Sequence, residues 1–454
     1  MEFANKKILV VGAGISGIAA AKTAEHLGAS VILSDAKEEK DIKFSLQELR
    51  RLGIEVVLGP QDASLLTGVD IVLLSPVVPM RIPLVQEALR RGITVTSEIE
   101  MAWHLAKAPI YAVTGTNGKT TTVTLLGLLM ETCCEKVGVG GNIGTPLCEE
   151  VLRVGSDGCT VAEISSYQLE ASQEFCPHIA AVLNVTPDHV VRHGSIEVYQ
   201  QCKEKLFAHQ TKDDYLVLNY DNARTRSMAE RAHSTVCFFS RLERLAEGAW
   251  LDGDRLVISW QGQTHALCTV DELGIKGAHN VENALAAAAV AFLAGAEPRR
   301  MAGVLKSFGG VEHRIEPVRE LQGVRYYNDS KATNTDSAIK ALETFPSHIV
   351  LLAGGDDKLT DLTAFMKLVR ERVDELILVG DAAKRFREAA CAQGFAAGHI
   401  HEAGYSMEKA VELAHTLAKA PQVVLLSPAC ASFDMFDGYE ERGRVFKKLV
   451  RALQ

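Results

Sequence analysis

Residues 115–121, Gly115-Thr116-Asn117-Gly118-Lys119-Thr120-Thr121, combine what a polyphosphate needs: two glycines, a lysine and a run of hydroxyls. Glycine lets the backbone turn tightly and aim its N–H groups at oxygen. Lys119 can neutralise outer phosphates, and Thr120 offers an oxygen to Mg²⁺. The usual phosphate-loop pattern asks for Gly, four residues, then Gly-Lys-Ser/Thr, and it fails here because Val113 stands where the first Gly belongs. That loss removes one flexible point and none of the donors. The bland reading is an ordinary Gly-rich strand-to-helix turn. Lys-Thr-Thr directly after Gly118 favours a nucleotide held by Gly115, Thr116, Asn117, Gly118, Lys119, Thr120 and Thr121.

A second anion-binding turn lies upstream. Gly12-Ala13-Gly14-Ile15-Ser16-Gly17 is G-x-G-x-x-G between a strand-like and a helix-like run, and Asp35 ends the next strand about 20 residues on, as in a dinucleotide fold. Alone, the motif fits NAD, any diphosphate or a plain turn. A dehydrogenase needs no second loop. An enzyme that joins a diphosphate-bearing substrate to a reaction driven by ATP needs both.

The elements that must position these loops alternate between strand and helix along the whole chain. "KKILVVGAG", "SVILSD", "VDIVLLSP" and "GITVTSE" read as strands of a first block. "PIYAVTG", "CTVAEIS", "IAAVLNVT", "DYLVLNYD" and "STVCFFS" read as a second, with a helix from Thr120 to Glu131, and "LVISWQGQTHALCTV" alternates like antiparallel edge hairpins. "RYYND", "HIVLLAGG", "ELILVG" and "QVVLLSP" form a third block after a break near Ser307-Phe308-Gly309-Gly310. The expected fold class is therefore α/β with three domains: Rossmann-like over 1–104, a central P-loop-type ATPase domain with a mostly parallel sheet over 105–309, and Rossmann-like again over 310–454.

Composition narrows the function classes. Among 454 residues, 47% are hydrophobic and 23% charged, which suits packed cores. A net charge of -9 argues against sequence-independent nucleic-acid binding. The longest apolar stretch, Ala284 to Ala296, falls short of the roughly 18 residues that suggest a membrane span, so no membrane insertion is expected. The start shows no secretory pattern, and ten cysteines without a C-x-x-C read as reduced thiols. A cytoplasmic enzyme, acting as a monomer on small molecules, is the expectation.

Several polar stretches fit neither strand nor helix interiors: "GGNIGTPL", "EISSYQLE", "LNVTPDHVVRHGS", "HNVENALAA", "EHRIEPV", "NDSKATN" and "LSPACASFDMFDGYEERGRVFK". With "GTNGKTT", and in this order, they resemble the Mur ligases, ATP-dependent amide-bond-forming enzymes of peptidoglycan synthesis. The resemblance implies a substrate carboxylate that attacks the γ-phosphate of ATP, then an acyl phosphate that is attacked by an amino group. It implies ATP and two Mg²⁺ ions as cofactors, with a UDP-sugar peptide precursor and D-glutamate as substrates.

The resemblance also implies roles residue by residue. Lys119, Glu163, His189, Lys203 and Lys331 match catalytic positions. Thr120 and Glu163 match positions near the first Mg²⁺; His189 and Lys203, the family's carbamylated lysine, match the second. Asn280 and Asn283 fall on the base side of ATP, with Arg314 and Asp329 near its ribose and phosphates. Ile15, Ser16, Asp35, Ser75 and Asn142 match contacts to the uridine substrate, Asp35 accepting from the uracil imide. Thr333, Lys358, Ser432 and Tyr439 match positions around D-glutamate. The chain departs from the family at Val190 and Val191, where an acidic residue often precedes the Arg, and at Val77, where Gly is common.

Three other readings compete: an amide ligase of the same superfamily with a different acceptor or amino acid, including one that extends folate with glutamate; an NAD-dependent oxidoreductase built on Gly12 to Asp35; and a nucleotide-gated binding protein without turnover. The oxidoreductase leaves Lys119, Lys331 and the C-terminal motif unused, and the binding protein predicts ATP binding with no turnover on any acceptor.

Overall fold

Apolar runs without a polar gap, such as Ile8–Val11 and Ile71–Leu74, belong in strands covered on both faces, and three sheets are built from such runs in this computed structural model. It describes residues 1–42, 44–188, 190–357 and 359–454, side chains of Val190 and Val191 excepted. The chain forms two compact units, Met1–Gly274 with Asn280–Phe308, and Ile275–His279 with Gly309–Gln454.

The first sheet holds β1 (Lys7–Val11), β2 (Ser30–Asp35), β3 (Glu55–Leu58), β4 (Ile71–Leu74) and β5 (Thr94–Ser97), all parallel, in the order 3-2-1-4-5. The second holds β6 (Ile110–Thr114), β7 (Lys136–Gly141), β8 (Gly158–Glu163), β9 (Ile179–Val182), β10 (Tyr215–Asn219), β11 (Thr235–Ser240), β12 (Gly248–Asp252), β13 (Arg255–Trp260) and β14 (Gln263–Thr269). Its order is 14-13-12-11-10-9-6-8-7, parallel except for the antiparallel pairs β12–β13 and β13–β14. The alternating run expected to form edge hairpins does so. Both sheets belong to the first unit.

The second unit carries β15 (Glu316–Leu321), β16 (Val324–Asn328), β17 (Ile349–Gly354), β18 (Val373–Val379), β19 (Ile400–Gly404) and β20 (Val423–Leu426), in the order 15-16-20-17-18-19. Only the β15–β16 pair is antiparallel. In every sheet one strand sits where the winding reverses: β1 between β2 and β4, β6 between β8 and β9, β20 between β16 and β17. Such reversals open a crevice at the carboxyl ends of the strands, which is where ligands bind in open α/β sheets. Among the described residues no helix is long and apolar enough to cross a membrane.

The helix Glu98–Leu105 ties the first two sheets together. Its Ile99 and Ala102 share a buried cluster with Ala19 of the first sheet's leading helix and with Leu147, Val151, Ala162 and Ala180 of the second block. Two buried carboxylates fix its position. Glu100 accepts from the Ser172 hydroxyl and from the backbone N–H groups of Gln173 and Glu174. Glu98 Oε1 accepts from the Cys148 N–H at 2.6 Å, while its Oε2 is buried without a partner among the described residues.

Burial pushes Glu98 up from the usual 4.5 to about 7. The folded chain therefore holds an extra proton between those two values, and stability falls as pH rises through that window. Glu98→Gln keeps the shape and removes the charge. Its melting temperature relative to the parent should rise from pH 4.5 to pH 8, by a gain of up to about 3 kcal/mol. A difference that stays flat with pH would show that Glu98 is not the titrating group.

Candidate active site

The loop at Gly115 leaves the carboxyl end of β6, the reversal strand of the central sheet. Val113, at the position where the usual pattern has Gly, is fully buried in that strand beside Glu163 and Ala181. The turn is made instead by Gly115 and by Gly118, whose φ of +85° precedes the helix Lys119–Met130. A side chain at Gly118 would meet Asn283 Oδ1 at 2.2 Å, so the glycine is needed for space as well as for conformation.

A neighbouring segment after β9 brackets the loop. Asn117 N–H donates to Asn184 Oδ1 at 2.9 Å, and Asn184 Nδ2 donates back to the Asn117 carbonyl at 3.1 Å. Thr116 N–H reaches the Asn184 carbonyl at 3.0 Å, and Thr186 N–H reaches the Thr116 hydroxyl at 3.0 Å. Lys119 Nζ curls over the loop onto the carbonyls of Gly115 and Thr116, at 2.8 and 2.9 Å. The loop is thus held in shape by side chains beyond its own sequence. Nothing in the spacing of residues 115–121 pointed to Asn184; only the polar "LNVT" run carried a trace of it.

Glu163 ends β8, next to β6, and is 2% exposed. Its Oε1 accepts from Asn142 Nδ2 at 2.9 Å, and its Oε2 is buried with no partner among the described residues. A buried carboxylate oxygen left bare is costly unless a cation completes it. Thr120, 7% exposed at the start of the helix, adds a hydroxyl from the phosphate loop. An all-oxygen donor set of this kind suits the hard ion Mg²⁺. Asn142, expected at the uridine, uses its side chain to orient Glu163.

Lys203, on the helix Ile196–Glu204, is 1% exposed and lies under the loop rather than on the surface. Its Nζ donates to the Gly115 carbonyl at 2.9 Å and lies 4.4 Å from the centre of the Tyr199 ring. Burial, reinforced by the charge of Lys119, holds its amine well below the usual lysine range. A lysine so placed is neutral often enough to act as a nucleophile.

Asn280 and Asn283 are buried on the helix Ala278–Leu293. Asn283 Nδ2 donates to Asn280 Oδ1 at 3.1 Å, and Asn283 Oδ1 accepts from Thr122 at 3.4 Å. The structure thus brings Asn283 against the phosphate loop.

At the first sheet's reversal, a cavity of about 360 Å³ is lined by Gly12, Ala13, Gly14, Asp35, Val77 and Val78 among others. Gly17 packs so closely on the turn that an added Cβ would meet the Gly12 carbonyl at 1.9 Å. Asp35 accepts from the N–H groups of Ala13 and Lys37, at 2.8 and 2.9 Å, and so closes the turn on itself. Ser75 is buried with its hydroxyl 3.3 Å from the Gly12 carbonyl, whereas Ile15 is 56% exposed, and Ser16 follows it in the first turn of the helix Ile15–His26.

In the second unit, β16 and β20 end side by side and deliver Asp329 and Ser427 to one point. Asp329 accepts from the Ser427 hydroxyl at 2.7 Å and the Ile315 N–H at 3.2 Å, and burial pushes its carboxyl up to about 7. The charges of Arg314 and Arg442 oppose that rise. Arg442, fully buried, donates to the carbonyls of Ser330, Cys430 and Ala431, and so fixes the backbone that leads into Lys331 and Ser432. Lys331 Nζ lies 5.4 Å from the Tyr439 ring centre, and the Tyr439 carbonyl accepts from Ser330. Thr333 follows in the same loop, its N–H bonded to the Lys331 carbonyl. His189 and Lys358 lie outside the described residues.

Comparisons with known proteins agree along the whole chain. The MurD-like N-terminal domain of Mur ligases matches residues 6–97, the Mur ligase middle domain 113–291, and the Mur ligase glutamate ligase domain 313–430. A protein of Pelotomaculum thermopropionicum named UDP-N-acetylmuramoylalanine--D-glutamate ligase is 46% identical over 453 residues, covering 100% of this chain and 99% of its own. A protein of the same name from Thermoanaerobacter sp. is 45% identical, covering 100% of both. The fold is shared with a pseudomurein peptide ligase type C from Methanothermus fervidus, at a TM-score of 0.60 and 18% identity over 98% of this chain and 100% of that one. With identity this high sustained from end to end, the chain belongs to the Mur ligase family.

Proposed function

We propose that the chain is an ATP-dependent ligase that joins D-glutamate to the free carboxylate of UDP-N-acetylmuramoyl-L-alanine, in peptidoglycan precursor synthesis in the cytoplasm. The observation that carries the reading is the bare, buried Glu163 Oε2 beside a bracketed phosphate loop, in a chain whose full-length relatives bear that ligase's name.

The substrate carboxylate attacks the γ-phosphorus of ATP, the bond to the β-phosphate oxygen breaks, and ADP leaves an acyl phosphate. The D-glutamate amine then attacks the acyl carbon and phosphate departs. The first step pushes two anions together. Lys119 and the loop N–H groups answer that repulsion where charge builds. Thr120 and Glu163 would hold one Mg²⁺, and His189 with Lys203 a second; bound there, the ions screen the phosphates. Lys203 takes part by adding its neutral amine to CO₂, losing a proton and becoming an anionic carbamate.

Gly115, Thr116, Asn117, Gly118 and Thr121 cradle the phosphates. Asn280 and Asn283 serve the base, Arg314 and Asp329 the ribose and phosphates, and Lys331 the transferred group. Ile15, Ser16, Asp35, Ser75 and Asn142 serve the uridine substrate; Thr333, Lys358, Ser432 and Tyr439 serve D-glutamate. In this reading residues 1–104 bind the UDP substrate, 105–309 ATP and 310–454 the amino acid.

Purified protein should release ADP over many turnovers only when UDP-N-acetylmuramoyl-L-alanine, Mg²⁺ and an amino acid are all present, with L-glutamate at least about tenfold slower than D-glutamate. ADP release driven equally by L-glutamate, or none with either, rejects the substrate assignment. Lys203→Ala should lose about 100-fold in rate, and a short carboxylic acid should restore part of it by standing in for the carbamate. Wild-type turnover in that variant removes Lys203 from the mechanism. Glu163→Gln should shift the Mg²⁺ concentration for half-maximal rate upward by about 10- to 100-fold; an unshifted Mg²⁺ titration would mean that the bare oxygen holds no metal.

A further inference from the structure

Arg192 occupies a position that none of the roles above uses. Its side chain is 12% exposed and forms a two-armed pair with Glu170, itself 16% exposed: Nε to Oε1 at 2.9 Å and Nη2 to Oε2 at 2.6 Å. The guanidinium also lies 4.8 Å from the centre of the Tyr167 ring. Its remaining donors cross to the first sheet's loop: Nη1 to the Val77 carbonyl at 3.2 Å, and Nη2 to the Val78 and Pro76 carbonyls at 3.1 and 3.5 Å.

These three carbonyls belong to the segment that walls the cavity at Gly12–Gly14. Val77 and Val78 line it with Asp35, and Ser75 packs on the Gly12 turn. Glu170 is itself anchored, because Lys205 donates to its backbone carbonyl at 2.7 Å and His193 stands 3.5 Å from its carboxylate. Arg192 thus reaches from the segment that follows His189 in the chain to the wall of the first cavity. A guanidinium can serve a carboxylate and several carbonyls at once because its five donors are fixed in one plane; an ammonium cannot.

We propose that Arg192 is a positioning residue that sets the 76–78 segment, and with it the grip on the uridine diphosphate part of the substrate. The substrate named here rests on the function proposed above. The arrangement also accommodates the departure at Val77: the residue is 72% exposed, and its carbonyl, which any residue supplies, makes the contact.

The test uses the full chain as Arg192→Lys and Arg192→Ala. Both variants should raise the KM for UDP-N-acetylmuramoyl-L-alanine by about tenfold, with the KM for ATP and for D-glutamate within about twofold of the parent. Amide exchange should quicken in peptides spanning residues 70–82 and stay unchanged in the other strands of the first sheet. If Arg192→Ala fails to fold, Arg192→Lys decides, since it keeps the charge opposite Glu170. Unchanged KM and unchanged exchange overturn the proposal; so do a lowered melting temperature with all three KM values raised alike, the mark of a merely structural pair. Should the parent itself neither bind nor turn over the sugar nucleotide, the proposed function falls and takes the substrate half of the inference with it. The exchange result, which needs no substrate, then decides the clamp alone.

Discussion

The carbonyl of Gly115 accepts from two lysines at once, Lys119 at 2.8 Å and Lys203 at 2.9 Å. That shared oxygen is the constraint on which the rest of the central site depends. The two nitrogens stand within about 6 Å of each other, where two full charges would repel by roughly 3 kcal/mol at an effective dielectric of 20. Burial is the larger penalty, and it falls on Lys203, which is 1% exposed. The structure therefore keeps Lys119 as the cation over the loop and leaves Lys203 with an amine that sheds its proton readily. One lysine is suited to meeting phosphate, and the other to becoming something else. The difference arises chiefly from depth, with the repulsion from Lys119 adding to it, since the residue type is the same.

Topology explains why these groups meet. The phosphate loop leaves β6, and the neighbours of β6 on either side are β8, which ends at Glu163, and β9, which runs on to Asn184. The same rule operates in the other two sheets. β1 delivers the Gly12 turn between Asp35 at the end of β2 and Ser75 just past β4, and β20 delivers Ser427 beside Asp329. Parallel strands bring their carboxyl ends to one edge, so residues far apart in the chain become neighbours without any local motif. Each buried charge then needs its own local partner: Asp329 has Ser427 and the Ile315 N–H, and Arg442 has a fan of carbonyls.

Much of this was legible from the chain. The apolar runs became the inner strands, both glycine turns sit between strand and helix, and the alternating run after Arg255 became the antiparallel hairpin. What escaped were mostly edges. β3, β7, β15 and β19 each close one side of a sheet. They are short or only partly buried, so their apolar signal is weak; β15 is Glu-Pro-Val-Arg-Glu-Leu, which reads as polar. Side-chain brackets escaped as well. Asn184, Asn142 and Arg442 act by reaching across strands or loops, and spacing along the chain carries no record of that. The burial of Lys203 under the phosphate loop is tertiary information of the same kind.

The two places where the chain breaks its motifs share a physical explanation. Val113 replaces a glycine of the phosphate-loop pattern, yet it lies inside β6, where its backbone pairs with neighbouring strands and its side chain fills the core. The turn begins two residues later, so no left-handed conformation is demanded at 113. Val77 replaces a glycine in the wall of the first cavity, yet the residue is largely exposed and its carbonyl is what Arg192 holds. In both cases the function resides in the backbone, and a side chain is admissible wherever it has room and φ stays negative. Gly118 is the contrast: positive φ and the closeness of Asn283 leave room for nothing else. A motif written as residue types blurs that difference, which is why the loop can depart from the pattern and still present its donors.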